Sequence, residues 1–124
     1  MSLLVSFASV DGINVNQHFG WCETFYMYKV DENGYSFVKE LDASQEKKSE
    51  IDKLTYKIEC LEQSDIVCVA QIGPKASNLV QQSGIYPMSS HEDSIEHILE
   101  KLISMINENP PLWLKRVLLR ANDE

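Results

Sequence analysis

A short, unbroken apolar run constrains the fold of this chain more than any other feature. Residues 65–71 read D-I-V-C-V-A-Q, and a run of this length between polar residues is typical of a strand buried on both faces. The apolar spacing around the run is helical. It predicts one helix over residues 45–63 and another over residues 73–84, where Gly-Pro begins the segment and a glycine ends it.

The first part of the chain predicts strands. Residues 3–10 are apolar and favour a strand, and they are followed by the loop composition D-G-I-N-V-N-Q-H-F-G. The aromatic segment F-Y-M-Y-K-V at 25–30 and the alternating segment Y-S-F-V-K-E-L at 35–41 flank an Asn-Gly pair. That arrangement predicts an antiparallel hairpin.

The C-terminal half predicts a short strand and two more helices. A strand is expected at 85–87, and Ser90-x-x-Asp93 predicts a capping box for a third helix with one apolar face, formed by Ile95, Ile98, Leu99, Leu102 and Ile106. Asn-Pro-Pro at 109–111 ends that helix, so we predict a domain over 1–109 and an amphipathic tail over 110–124. The tail, L-W-L-K-R-V-L-L-R, either folds back on its own domain or docks a partner.

This order of elements predicts an α/β fold that looks ribonuclease H-like, with a mixed five-stranded sheet flanked by helices. The simplest topology places the first strand in the centre, the hairpin on one side and the two later strands, parallel to it, on the other. The loop after the first strand and residues 71–73 then leave the same edge of the sheet. In open α/β sheets that edge binds ligands.

Charge and cysteine usage narrow the functional classes. Nineteen acidic residues against eleven Lys and Arg give a net charge of −8, the wrong sign for a nucleic-acid surface. No segment is apolar for long enough to span a membrane, and the N-terminus lacks the basic region of a signal peptide. The three cysteines are widely spaced, which predicts reduced thiols in a cytoplasmic protein.

The motifs of common hydrolases are missing from the sequence. Two-metal nuclease chemistry needs carboxylates that converge from central strands, and the first strand carries none. There is neither a G-x-S-x-G elbow nor a glycine-rich phosphate loop. We therefore expect a binding protein and not an enzyme.

Metal or cluster binding is the more plausible chemistry. His18 follows the first strand in the loop expected at the ligand edge, and imidazole is a common ligand for borderline metals. Cys22 is a second candidate ligand, although a free cysteine is more often a small buried hydrophobe. Lys75, near the start of the second predicted helix, is either an anion partner or a solvated lysine. Trp21 either packs in the core or covers a ligand.

Several segments in order resemble the NifX/NafY family, the dinitrogenase iron–molybdenum cofactor biosynthesis domain. They are V-N-Q-H-F-G, the aromatic F-Y-M-Y, S-D-I-V-C-V-A-Q-I-G and Q-S-G-I-Y-P-M, and the tail P-P-L-W-L-K-R-V-L-L resembles the C-terminal segment of the NifX branch. The resemblance covers nearly the whole chain. It implies a ribonuclease H-like fold without nuclease activity.

The same resemblance implies a carrier of iron–sulfur precursors or finished iron–molybdenum cofactor, with cofactor-assembly proteins and apo-nitrogenase as partners and neither nucleic acid nor membrane. The family histidine corresponds to His18. Family members commonly have a small residue at the position of Cys22, so this thiol is either an added ligand or incidental.

The expected binding set also contains the motif residues Phe19 and Gly20, with Gly73 and Lys75 supplying amide N–H groups and positive charge. The competing interpretation is a docking module or chaperone that touches no metal. It would bind apo-nitrogenase or an assembly scaffold through Trp113, Lys115 and Arg116.

Overall fold

The computed structural model describes residues 2–90 and 93–122, and its elements follow the predicted order. They are β1 Ser2–Ala8, β2 Thr24–Asp31, β3 Gly34–Asp42, α1 Glu50–Cys60, β4 Ile66–Val69, α2 Pro74–Gln82, β5 Tyr86–Ser89, α3 Ile95–Asn107 and α4 Leu112–Ala121. Within these described ranges, no helix has both the length and the apolar character needed to cross a bilayer.

The five strands form one mixed sheet in the order β3-β2-β1-β4-β5. The hairpin strand β2 runs antiparallel to β1, whereas β1, β4 and β5 run parallel to one another. This arrangement confirms the predicted five-stranded α/β sheet and the central position of the first strand. The ribonuclease H-like assignment stays a prediction.

A separate hydrophobic layer covers each face of the sheet. One layer packs α1 and α2 against the sheet through residues such as Phe25, Leu54, Leu61, Val67, Val69 and Val80. The other packs α3 and α4 through residues such as Phe7, Ile66, Leu99, Leu102, Leu114 and Leu118. Successive β4 residues alternate between the two layers, and all four are buried. The strand is therefore covered on both faces, as its unbroken apolar run predicted.

Two predicted helix starts were wrong. α1 begins at Glu50, with the Ser49 hydroxyl accepting from the Asp52 N–H, because residues 45–49 run alongside the helix and the Gln45 N–H bonds the Tyr56 hydroxyl. α3 is capped by Ser94, not by Ser90. Part of the predicted capping box, including His91, lies outside the described residues.

The C-terminal tail forms α4 and packs on its own domain. Leu114 is fully buried and Leu118 nearly so, both in the layer that also contains α3. Trp113 stacks on Tyr86 of β5, with ring centroids 4.5 Å apart and planes 12° from parallel. Of the two arrangements left open by the sequence, the structure has the helix folded back.

Candidate functional site

The loop that follows β1 closes onto the end of β4. The Ala70 N–H donates to the Gln17 carbonyl over 3.0 Å, and the Phe19 N–H donates to the Gln71 carbonyl over 3.0 Å. Between these bonds, His18 pairs with Gln71 as an isolated parallel bridge. The loop therefore extends the parallel pairing past the strand ends and places His18 beside residues 71–73, as the predicted topology required.

The start of this loop is held by its own side chains. The Asp11 carboxylate accepts from the Ile13 N–H at 2.9 Å and the Asn14 N–H at 3.0 Å, and these bonds lower the pKa of Asp11 to about 2. Gly12 has a positive φ of 73°, and a Cβ there would lie 3.2 Å from the Tyr26 ring. The sequence D-G is thus needed both for the turn and for its close approach to β2.

His18 is held by a stacked tryptophan. Residues Phe19–Trp21 form one turn of 3-10 helix, with the Trp21 N–H donating to the His18 carbonyl over 3.1 Å. The two rings stack at 4.6 Å between centroids, with their planes 2° apart. Trp21 is 68% exposed, so it is not a core residue, whereas Phe19 is buried and anchors the turn. The imidazole therefore lies at the surface and packs against the indole ring of Trp21.

An open cavity of about 310 Å³ lies in front of this pair. The 3-10 turn lines one side, residues 71–76 line the other, and Glu50 and Leu54 of α1 close a third. The cavity brings together five of the residues predicted for cofactor binding, namely His18, Phe19, Gly20, Gly73 and Lys75.

The electrostatics of the cavity favour an anion at the start of α2. Gly73 is the N-cap and supplies no side-chain acceptor, so no side chain in the described ranges caps the first-turn N–H groups. A helix N-terminus of this kind carries partial positive charge. Lys75 adds an ammonium whose nitrogen lies 3.8 Å from a Glu50 carboxylate oxygen, with both side chains mostly exposed. Such exposed pairs are weak and exchange easily.

The structure places Cys22 outside this cavity. Its side chain is fully buried in the layer beneath α1, where the thiol donates to the Thr24 carbonyl over 2.9 Å. Burial raises the pKa of Cys22 to about 11, so the thiolate that a metal requires is disfavoured. Cys22 is thus a small buried apolar residue, which is the alternative to a metal ligand given above.

No cluster of three or more histidine, cysteine or carboxylate side chains in residues 2–90 and 93–122 is arranged to hold a metal ion. His97, the other histidine whose position is described, lies at the start of α3 with its Nδ1 2.7 Å from an Asp93 oxygen. Among the residues described, the His18 cavity thus offers one imidazole and no set of protein ligands that surrounds a metal.

Comparison with known proteins assigns the chain to a family. The family described as dinitrogenase iron-molybdenum cofactor matches residues 1–105. The chain belongs to this family. The membership confirms the assignment made from the ordered motifs around His18 and Gly73.

Curated relatives agree with this assignment, and a solved structure shares the fold. NifX of Herbaspirillum seropedicae is 30% identical over 98% of this chain and 86% of its own length. NifX of Sinorhizobium fredii is 32% identical over 97% of this chain and 80% of its own length. The crystal structure of PH0822 superposes with a TM-score of 0.67 at 17% identity, covering 82% of this chain and 91% of that one. The family and its NifX members support a role in iron–molybdenum cofactor biosynthesis for nitrogen fixation.

The three residues predicted to dock a partner lie away from the His18 cavity of this family member. Lys115 and Arg116 are exposed on α4, whereas Trp113 is partly buried by its stacking on Tyr86. Trp113 and Arg116 line a different cavity beside Asp65, at the start of β4. The sequence thus named residues of two separate surfaces.

Sequence reasoning missed Glu50 and Leu54 as cavity residues. Both belong to α1, which reaches the cavity only because it packs beside α2 on the same face of the sheet. A helical pattern indicates which face of α1 is apolar but not which loop its first turn approaches. No local signal in the sequence marks these two positions.

Proposed function

We propose that this protein binds and carries an iron–sulfur precursor of the iron–molybdenum cofactor, or the finished cofactor, in the cavity beside His18. The observation that carries the proposal is the meeting of one surface imidazole with the uncapped N-terminus of α2 in a single cavity. The imidazole supplies a metal ligand, and the helix start attracts the negative charge of a cluster.

Stacking on Trp21 prepares His18 for this role. The tryptophan restricts the imidazole to one plane, so less side-chain entropy is lost when a metal binds. Its exposed face also offers an apolar cover for part of a bound cluster. Gly20 and Gly73 line the cavity without side chains, and a Cβ at either position would meet no atom of the described residues within 4 Å.

A site with so few ligands suits transfer. A cluster held by four thiolates is bound tightly, whereas one held by an imidazole, amide dipoles and a lysine is released more rapidly, since affinity differences act mainly on the dissociation rate. The protein would act in the cytoplasm by binding its cargo without transforming it. It would receive that cargo from cofactor-assembly proteins and deliver it to apo-nitrogenase.

The test is anaerobic incubation with purified cluster donor, followed by gel filtration and iron analysis of the protein fraction. We expect His18→Ala to weaken cluster binding by about tenfold or more, because it removes the imidazole ligand. His97→Ala is the matched control and should retain the bound iron. Equal iron in His18→Ala and the parent protein would remove His18 from the site.

The charges at the entrance give a second, opposing pair of variants. Lys75→Gln should weaken binding of an anionic cluster, because a positive charge is lost. Glu50→Gln should strengthen it, because the carboxylate that competes for Lys75 is neutralised. If both variants shift binding in the same direction, the electrostatic part of the proposal is wrong. Cys22→Ser should bind iron like the parent, as the thiol lies outside the cavity.

A further inference from the structure

α4 is a basic helix in an acidic protein. Its sequence, L-W-L-K-R-V-L-L-R-A over Leu112–Ala121, contains three basic residues and no acidic one, whereas the whole chain has a net charge of −8. The surface that α4 presents is therefore opposite in sign to the rest of the molecule. Such local reversal selects acidic partners through long-range attraction.

The outer face of α4 also keeps exposed apolar side chains. Leu114 and Leu118 are used in the core, but Leu112 and Leu119 are 63% and 66% exposed. Lys115 lies between them at the i, i+3, i+7 spacing of one helix face. Two leucines that contribute nothing to the core, set among basic side chains, form an amphipathic strip.

A cavity of about 270 Å³ adjoins this strip. Among the described residues, Arg116 and Arg120 line it together with the stacked Trp113–Tyr86 pair and one carboxylate, Asp65. An Asp65 oxygen is already bonded to the Leu4 N–H at 2.8 Å. Within the part of the chain that the structure describes, two guanidinium groups against one engaged carboxylate leave an excess of donors in this cavity. Guanidinium matches an incoming carboxylate in bidentate geometry.

We propose that the outer face of α4 and this cavity form a docking surface for an acidic, amphipathic segment of a protein partner. Apolar side chains of the segment cover Leu112 and Leu119, and one of its carboxylates enters the cavity between Arg116 and Arg120. This assignment sharpens the docking residues predicted from the sequence. The docking surface keeps Lys115 and Arg116 from the sequence prediction and adds Leu112, Leu119 and Arg120. Trp113 forms part of the cavity wall.

A protein partner fits the charges better than a lipid surface does. The apolar residues best placed to enter a membrane, Leu114 and Leu118, are already buried against the sheet. The acidic remainder of the chain would also be repelled by anionic headgroups. A short acidic protein segment contacts only the basic strip. It therefore does not place a broad negative surface against the acidic rest of the molecule.

The docking surface and the His18 cavity lie at opposite ends of the parallel strands. Asp65 precedes β4 and Gln71 follows it, so six residues of extended chain separate the two sites by about 20 Å. A partner held at α4 therefore leaves the entrance of the other cavity open. Docking does not depend on the cargo proposal, and each is testable without the other.

The experiment measures binding of the full chain to a synthetic amphipathic peptide with glutamate and leucine at helical i, i+3 and i+4 spacing, by fluorescence anisotropy at low and high salt. We expect saturable binding that weakens with salt and falls by about tenfold or more in R116E/R120E and in L112S/L119S. A peptide with lysine in place of glutamate should bind R116E/R120E better than it binds the parent. His18→Ala should bind the acidic peptide like the parent, whatever its effect on iron.

Four results would overturn the docking proposal. The first is equal binding of the acidic peptide by the parent and both double variants. The second is equal binding of a peptide with the same composition in scrambled order. The third is stronger association with phosphatidylcholine vesicles containing phosphatidylglycerol than with the peptide. The fourth is self-association of the parent in sedimentation velocity that is lost in R116E/R120E, since a second copy would then occupy the surface. Circular dichroism melts establish that the variants are folded, and the four residues changed in the two double variants are all exposed.

Discussion

Replacing Lys57 by methionine should destabilise the protein and loosen the turn that carries His18. Lys57 is only 4% exposed, although it lies on α1 in a mostly apolar layer. Its ammonium donates to the Cys22 carbonyl, directly after the 3-10 turn, and to the Ala43 carbonyl at 2.9 Å, just after β3. One buried cation thus ties α1 to the ends of two other segments.

The magnitude follows from the two carbonyl groups. Methionine keeps the length and apolar stem of lysine but donates no hydrogen bond, so both carbonyl oxygens lose a buried partner at a cost of about 1–3 kcal/mol each. Removing the buried charge offsets part of this, because the ammonium is desolvated in the folded state. We expect a net loss of about 2–4 kcal/mol in the free energy of unfolding at neutral pH.

Chemical denaturation at several pH values tests both parts of this reasoning. Burial lowers the pKa of Lys57 from its ordinary value of 10.5. Between the lowered pKa and 10.5 the unfolded chain binds more protons than the folded one, so the stability that Lys57 contributes rises with pH in that window. The methionine variant lacks this gain. The stability difference between parent and variant should therefore widen as pH rises from neutral towards 10.5.

Lys101→Met, at an exposed position on α3, is the control and should change stability little. A loss below about 0.5 kcal/mol for Lys57→Met would refute the assigned hydrogen bonds. A pH-independent difference would refute the assigned desolvation. Weaker iron binding in the variant, measured below its unfolding midpoint, would further link Lys57 to the position of His18.

Three further predictions follow from the fold. Leu114→Ala should lower the free energy of unfolding in urea by about 2–5 kcal/mol, because α4 contributes a fully buried leucine to the core. A change near zero, as expected for an exposed residue, would mean that α4 is not packed on the sheet in solution. Ser94→Ala should lower the free energy of unfolding by about 1 kcal/mol because the α3 cap is lost, and Ser90→Ala should lower it much less. A larger loss for Ser90→Ala than for Ser94→Ala would favour the capping box predicted from the sequence. At pH 8 a thiol reagent followed by mass spectrometry should modify the partly buried Cys60 first, because burial raises the pKa of the other two thiols to about 11 and 12; rapid labelling of all three would contradict their burial.

Local patterns were sufficient for the kinds of element and for much of the topology. The unbroken apolar run of β4 requires cover on both faces, and the Asn-Gly turn sets an antiparallel hairpin. Right-handed crossovers and short connections then leave few ways to order five strands. The shared sheet edge of His18 and Gly73 follows from that order, because the carboxyl ends of parallel strands lie together.

Helix starts were less well predicted, since neighbouring polar residues compete for the same role. Ser90 and Ser94 both suit an N-cap by type, and their places in the fold separate them. The Ser90 N–H is bonded to the Val69 carbonyl, so it continues the sheet pairing, whereas the Ser94 hydroxyl accepts from the His97 N–H. Similarly, the segment before Glu50 has helical composition but runs beside α1.

The sequence by itself determined the kinds of element, the strand order and the end of the sheet at which the candidate residues His18 and Gly73 lie, because strand order and motif position both follow from local patterns. Only the tertiary structure decided what surrounds them. It buried the Cys22 thiol beneath α1, brought Glu50 to the cavity and set Trp21 over His18. It also folded α4 onto the sheet and left Leu112 and Leu119 outside. These outcomes depend on how helices pack across the sheet, and the free energy of that packing is shared among residues far apart in the chain.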